Sequence, residues 1–263
     1  MTDIRAENWL VRLLPRVVDL AKEAGQAILN IYAQADLAVE FKQDNSPLTQ
    51  ADLKSHRVIV DGLSGVSPDW PVVSEESEEV SFNRRGSWDR FWLVDPLDGT
   101  KEFLRHTGEF TVNIALVESE TPVLGVVYAP VVDKLYFAAR GAGAFKAHAG
   151  LISRIEATRP AGAILRTVIS RSHRSPVESL GQFVQDGREC EFIAMGSSLK
   201  FCLIAEGAAD LYLRTGPTME WDTAAAHCIL VEAGGAITDL DGNSMRYNKP
   251  VLLNPGFLAR GAV

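Results

Sequence analysis

The sequence predicts a layered α/β (α+β) protein built as two lobes, and three observations predict it. Residues 8–32 carry apolar side chains at helical spacing: Leu10, Leu13, Leu14, Val17, Leu20, Ala24, Ile28 and Ile31. Residues 90–139 hold four short β-rich runs separated by turn residues, "RFWLV", "FTVNIALVE", "VLGVVYAP" and "KLYFAA", the pattern of a mostly antiparallel sheet. Past the turn "RGAGAF" strands and helices alternate, as in an α/β half. The expected division is an N-terminal lobe over residues 1–150 and a C-terminal lobe over 151–263, joined near 145–160. A site built from both lobes would lie at their junction, a common place for pockets.

Each element has a local reason. Pro15 falls in the first turns of the opening helix or kinks it. The loop "KQDNSPLT" is rich in turn formers, and its Thr49 can cap the next helix, "QADLKSHRVIVDGL". "WPVVS" reads as a short strand running into the acidic loop "EESEEVS". In the second half "RTVIS", "CEFIAM", "ADLYLR" and "GAITDL" read as strands. "SPVESLGQFVQ", "SSLKFCLIAEG" and "WDTAAAHCILVEAG" read as the helices between them.

At 263 residues, 46% hydrophobic and 23% charged, the chain can bury a large core. A net charge of −8 without a basic run argues against polymeric DNA or RNA as partner. It leaves a small anionic substrate open, because bound metal ions can supply the positive charge. No apolar stretch reaches the roughly 18 residues of a membrane span, and the start "MTDIRAENWL" lacks the apolar core of a secretory signal. The expectation is a cytoplasmic protein, with peripheral membrane contact compatible. Cys190, Cys202 and Cys228 are odd in number, form no CxxC pair and read as small hydrophobes in a reducing compartment.

The chemistry concentrates in "RFWLVDPLDGTKEF". An apolar strand ends on Asp95 and Asp98; Pro96 cannot continue a central strand, so the chain is expected to leave the sheet after Asp95. Gly99 can then take a positive φ. The two carboxylates can converge, with the Leu97 carbonyl between them, and would repel each other unless a cation neutralises them. Hard divalent cations want such oxygens. The alternative is an ordinary Asp-Gly turn. Glu75 and Glu76 end another strand in "SEES", Asp222 opens a helix in "MEWDTAAAH", and Asp52 opens one in "PLTQADLK". Singly, each of these acids reads equally as a solvated loop or a favourable helix-start charge. Ala224, Ala225 and Ala226 would let the Asp222 turn approach another backbone closely.

Taken together, these motifs resemble those of the lithium-sensitive, magnesium-dependent phosphomonoesterases of the inositol monophosphatase superfamily. The resemblance covers nearly the whole chain, to "NPGFL", and implies an αβαβα sandwich, often dimeric. It implies that Glu75, Asp95, Asp98 and the Leu97 carbonyl ligate Mg²⁺, and that Asp222 completes a second site. Asp52 and Thr100 would orient and deprotonate the attacking water, and Glu76 would stand behind them or beside a weaker third ion.

Within the superfamily, "GTKEF", "KQDNSPLTQAD", "SRSH" and "GSSLKFCLIAEGAADLY" resemble the 3′(2′),5′-bisphosphate nucleotidases. That implies hydrolysis of the 3′-phosphate of adenosine 3′,5′-bisphosphate, a by-product of sulfate activation, by a water activated by two or three Mg²⁺ ions. Ser170 and His173 would contact the nucleotide, Gly196 would let it approach the backbone, and Lys200 would meet a phosphate. Gly99, Thr100 and Asp222 would also face the substrate, and Lys42 and Arg171 are weaker phosphate candidates. Three rivals stand beside this reading. One is an inositol monophosphatase or fructose-1,6-bisphosphatase of the same superfamily. Another is a haloacid-dehalogenase-type phosphatase, disfavoured because its D-x-D is here D-x-x-D. The last is a non-catalytic nucleotide- or metal-binding protein.

Overall fold

The structure, a computed structural model, describes residues 9–34, 39–41, 47–160, 162–171 and 188–262. It begins with helix α1 (Trp9–Tyr32), which continues through Pro15 and buries Leu10, Leu14, Val17, Leu20, Ala24, Ile28 and Ile31 along one stripe. A short antiparallel pair, β1 (Val39–Phe41) and β2 (Pro47–Thr49), leads into helix α2 (Gln50–Val66). Thr49 caps α2 as its side-chain chemistry requires: its hydroxyl oxygen accepts from the Ala51 amide, and Asp52 accepts from the Thr49 amide in return.

Helices α1 and α2 cover one face of a seven-stranded sheet. Its strands run in order: β3 (Val72–Ser74), β4 (Arg90–Asp98), β5 (Thr111–Glu118), β6 (Thr121–Ala129), β7 (Lys134–Ala139), β8 (Gly143–His148) and β9 (Leu151–Ile155). Helix α3 (Phe82–Arg85) lies between β3 and β4, and helix α4 (Thr100–Leu104) follows β4. The β3–β4 pair is parallel and every other pair antiparallel, as short turns between neighbouring strands demand. The division expected at residue 150 falls inside the β8–β9 hairpin. Pairing continues to Ala144↔Ile155, so the chain changes sheets only after β9.

The second sheet contains β10 (Ile164–Ser170), β11 (Glu189–Met195), β12 (Leu211–Arg214), β13 (Ala236–Asp239) and β14 (Phe257–Arg260), in the order β11-β10-β12-β14-β13. β10 pairs parallel with β11 and β12, while β14 runs antiparallel to β12 and β13. Helices α5 (Leu199–Ala205) and α6 (Glu220–Glu232) lie between the two sheets. The described layers are therefore helix, sheet, helix, sheet. The helix predicted over 175–185 lies outside the described residues.

Helix α6 has a sheet on either side, and residues 223–230 are buried without interruption. The alanines predicted to permit close approach do so. A Cβ on Gly125 of β6 would lie 2.2 Å from the Ala225 carbonyl oxygen. One apolar cluster runs through both sheets and both inner helices, so the two lobes share a core. The start of α6 is fixed from outside by Glu220, fully buried, which accepts from the Asn248 and Lys249 amides and the Lys249 ammonium. No helix among the described residues is long and apolar enough to cross a membrane.

Because the atom facing Gly125 is backbone and cannot rotate away, Gly125→Ala should destabilise the protein by about 1–3 kcal/mol or more. Urea unfolding of the variant reads this directly; an unchanged midpoint would mean that the helix rests on the strand less tightly.

Candidate active site

Residues Phe91 to Val94 are buried in the middle of the first sheet, and the strand carries this apolar run up to Asp95. The chain was expected to leave the sheet there. Instead it bulges: Asp95 pairs with Asn113, the ladder skips Pro96 and Leu97, and pairing resumes at Asp98↔Thr111. Pro96 has no N–H to give the ladder, and the bulge removes that demand. The Asp95 carboxylate accepts from the Leu97 amide at 3.0 Å, and the Ser55 hydroxyl of α2 donates to the Pro96 carbonyl at 2.7 Å. Gly99, at φ 96°, then turns the chain into α4.

Two further acids join from other elements. Glu75 follows β3 and its amide donates to the Val94 carbonyl, so its position is set by β4 itself. Its carboxyl shares a hydrogen bond with Asp95. Asp222 lies in the first turn of α6, where its carboxylate accepts from the Met219 amide at 2.8 Å. These groups line one cavity of about 270 Å³ between the sheets. Of the residues singled out in the sequence, Glu75, Asp95, Leu97, Asp98, Gly99, Thr100, Ser170, Lys200 and Asp222 stand on its wall.

The others lie elsewhere. Asp52 is buried just behind the wall, oriented by the Thr49 amide and hydroxyl at 2.8 and 2.6 Å on one carboxylate oxygen. Glu76 is off the wall, and its charge is felt at Asp52. Gly196 is also off the wall. Its missing side chain faces lobe one, where a Cβ would meet the Glu109 carbonyl oxygen at 2.7 Å, so the need for glycine there is steric. Arg171 turns its guanidinium to Glu109. Lys42 and His173 lie outside the described residues.

The electrostatics follow from burial. Loss of water pushes the Asp95 carboxyl well above its ordinary range, and the charges of Glu75, Asp98 and Asp222 push it further. Asp222 is pushed well up by burial, then by Asp98 and Glu75. Asp98 is raised by burial while Lys200 and Ser198 hold it down. Asp52 rises to about 6, again chiefly by burial, with the Thr49 bonds opposing. Lys200 is lowered by burial, and Asp98 resists. Among the described residues, no three acids, histidines or cysteines stand in a finished metal-ligand arrangement. The chemistry of the donor set nonetheless fits a hard divalent cation. Carboxylates from three elements and a backbone carbonyl line one cavity, with Lys101, Lys200 and Arg214 on the same wall, and their mutual repulsion is relieved by a cation held among them.

The profile of the inositol monophosphatase family matches residues 9–261. The chain belongs to that family. The 3′(2′),5′-bisphosphate nucleotidase CysQ of Salmonella typhimurium is 49% identical to it, over 93% of this chain and 98% of the relative. CysQ of Escherichia coli K12 is 48% identical over the same shares. Among solved structures, CysQ from Bacteroides thetaiotaomicron, described as a bacterial member of the family, matches with a TM-score of 0.82 and 42% identity, covering 94% of this chain and 96% of its own. The IMPase of Thermotoga maritima matches with a TM-score of 0.74 at 27% identity, covering 92% of this chain and 89% of its own.

Several wall residues of this family member escaped sequence reasoning, Ser198 and Arg214 foremost. Ser198 is the hub between the lobes. Its amide donates to Asp98 Oδ2 at 2.6 Å, and its hydroxyl lies 2.8 Å from both that oxygen and the Asp222 carbonyl. Asn113 donates to the same hydroxyl at 2.8 Å. Among the described residues, the hydrogen bonds that Asp98 receives fall on Oδ2, which turns Oδ1 toward a ligand. Arg214 ends β12 beside Lys200, and its position at a strand end was the signal that could have found it.

A cation that binds the folded site alone must stabilise the fold, by about 2.7 kcal/mol at a hundredfold excess over its Kd. Millimolar Mg²⁺ should therefore raise the melting temperature by several degrees over EDTA, and Asp95→Asn should erase most of that rise. A wild-type protein whose melting point ignores Mg²⁺, Mn²⁺ and Ca²⁺ would remove the cation from the site.

Proposed function

We propose that this protein is a Mg²⁺-dependent 3′(2′),5′-bisphosphate nucleotidase that hydrolyses the 3′-phosphate of adenosine 3′,5′-bisphosphate, giving AMP and phosphate. The observation that carries the reading is the make-up of one cavity wall. Glu75, Asp95, Asp98 and Asp222 suit divalent cations, and Lys200 and Arg214 stand on the same wall. A substrate with two phosphates uses both kinds of group: one phosphate is cut among the acids while the other is anchored by the cations. Near-full-length similarity to CysQ nucleotidases supports the same substrate. Three free cysteines, two of them buried, support a reducing compartment such as the cytoplasm.

Glu75, Asp95, Asp98 and the Leu97 carbonyl would hold one Mg²⁺, and Asp95, Asp98 and Asp222 would hold a second. When bound, such ions polarise the phosphoryl oxygens, lower the pKa of water and neutralise charge on the leaving oxygen. The protein's own part is mainly positioning. Asp52 and Thr100 would together orient and deprotonate the attacking water: Thr100 stands on the wall, and Asp52, buried behind it and oriented on one oxygen by Thr49, would be the base, its pKa of about 6 leaving it ionised at pH 7 and matched to that task. Thr100, at the start of α4, orients the water with its hydroxyl. Phe201, Tyr212 and Phe257 give the wall an apolar stretch against which a nucleoside can lie.

Phosphate release should be measured in parallel from adenosine 3′,5′-bisphosphate and inositol 1-phosphate, with Mg²⁺, with EDTA and with added Li⁺. Strong preference for the nucleotide, loss of turnover in EDTA and inhibition by Li⁺ are expected; preference for inositol phosphate would assign the protein to the other branch of its family. Arg214→Met should raise KM for the bisphosphate about 10–100-fold, the size of one or two charged hydrogen bonds. Its effect on a monophosphate such as 3′-AMP should be much smaller, and equal losses on both substrates would contradict the anchoring role.

A further inference from the structure

Glu109 sits just ahead of β5 and off the cavity wall, yet it ties the two sheets together beside the cavity. Its Oε2 accepts from Arg171 Nε at 2.7 Å and from the Gly196 amide at 2.8 Å, and its Oε1 accepts from Arg171 Nη2 at 2.7 Å. Arg171 also donates from Nη2 to the Ala194 carbonyl at 2.9 Å and from its amide to the Met195 carbonyl at 3.3 Å. One carboxylate from the first lobe thus gathers the ends of β10 and β11, neighbouring strands of the second sheet. The backbone fits as closely: a Cβ at Gly196 would lie 2.7 Å from the Glu109 carbonyl oxygen and 2.8 Å from Glu102 Cγ.

Those two strand ends lead into the cavity. Ser170 immediately precedes Arg171, Ser197 and Ser198 follow Gly196, and all three line the wall. Ser198 is tied to the first sheet by Asp98 and Asn113, while the strand end that carries Ser170 and the turn that carries Ser197 are the segments the clasp itself holds. We infer that Glu109 is a positioning residue for the nucleotide: through Arg171 and Gly196 it sets the spacing between the Ser170 strand end and the Ser197 turn. It touches no substrate itself. The inference rests on the nucleotidase reading above. The ion pair is partly exposed, with side-chain exposures of 42% for Arg171 and 20% for Glu109, so its Coulomb energy is modest. Its value is directional: a two-pronged fork and a backbone N–H converge on one carboxylate.

The experiment uses Glu109→Gln, Arg171→Gln and the double variant, with calorimetric binding of AMP, kcat and KM for adenosine 3′,5′-bisphosphate, and thermal unfolding. Each single change should weaken AMP binding and raise KM about tenfold, the size of one charged hydrogen bond. The double variant should lose no more than either single one, because the two side chains act as one unit. The value of kcat should stay within about twofold, since the clasp does not touch the reacting phosphate. If Glu109→Gln fails to fold, Arg171→Gln alters only an exposed side chain and carries the same test. Unchanged AMP affinity in variants of a wild type that binds AMP would overturn this inference alone, as would additive losses. A wild type that binds no AMP would overturn the nucleotidase reading and this inference with it.

Discussion

Carboxylates held together out of water are the constraint on which the structure depends. Glu75, Asp95, Asp98 and Asp222 line the same cavity; burial raises the Asp95, Asp98 and Asp222 carboxyls, and repulsion from neighbouring acids raises Asp95 and Asp222 further. An unpaired buried charge costs several kcal/mol, so such a cluster persists only where the surrounding fold over-determines it. The protein meets that demand with donors fixed on separate elements. Leu97 serves Asp95, Met219 serves Asp222, Thr49 serves Asp52, and Ser198 serves Asp98 across the lobe junction. Each donor satisfies one oxygen and so aims the other. The arrangement fixes the direction of each acid and leaves most of the charge to be met by a bound cation.

Such placement needs a rigid frame, and the layers provide it. Asp95 and Asp98 sit on a bulge of the first sheet's buried strand, Glu75 is hydrogen-bonded to that strand, and Asp222 rides on a helix wedged between two sheets. The wedge is tight enough that β6 must be glycine where α6 crosses it. Behind α6 a chain of neutral polar groups completes the packing. His227 shares a hydrogen bond with the Tyr247 hydroxyl, which donates to Thr223, and burial lowers the imidazole to about 3, so it is uncharged at neutral pH. The inner layer is thus both core and backing plate for the site.

Much of this was legible in the sequence, because local pattern reports burial and local geometry. The stripe of α1, the alternation of the β-rich runs and the Thr49 cap are all set by neighbours in the chain. What stayed hidden depends on partners far away. The strand rejoins its sheet at Asp98 because β5 offers Thr111 there. The β8–β9 hairpin carries the first sheet past residue 150 because pairing with β8 continues. Gly196 is fixed by Glu109 and Glu102, both in the other lobe. Ser198 belongs to the run "GSSLK", but nothing in that run tells that its hydroxyl will lie between Asp98 and Asp222. Periodicity predicts which face of an element is buried and is silent on what the face meets.

The charge distribution resolves the apparent conflict between an acidic protein and a doubly phosphorylated substrate. A net charge of −8 repels polyanions at a distance, and screening over about 10 Å at 0.1 M salt confines that repulsion to the surface. Inside the cavity the balance is local. Lys200 is held by the Ser197 carbonyl and stands over the Tyr212 ring, and Arg214 is held by the Gly216 and Pro217 carbonyls. Both cations are therefore oriented before any ligand arrives, so little side-chain entropy is left to lose on binding. The acids add positive charge only by recruiting cations, so a phosphate has no favourable site among them without metal. On the proposed reading Lys200 and Arg214 would anchor a nucleotide with a single phosphate, whereas cleavage would require the cradle to be filled. Binding and turnover would then depend on different charges in one cavity, so that the spacing of two phosphates becomes a means of discrimination alongside the nucleoside.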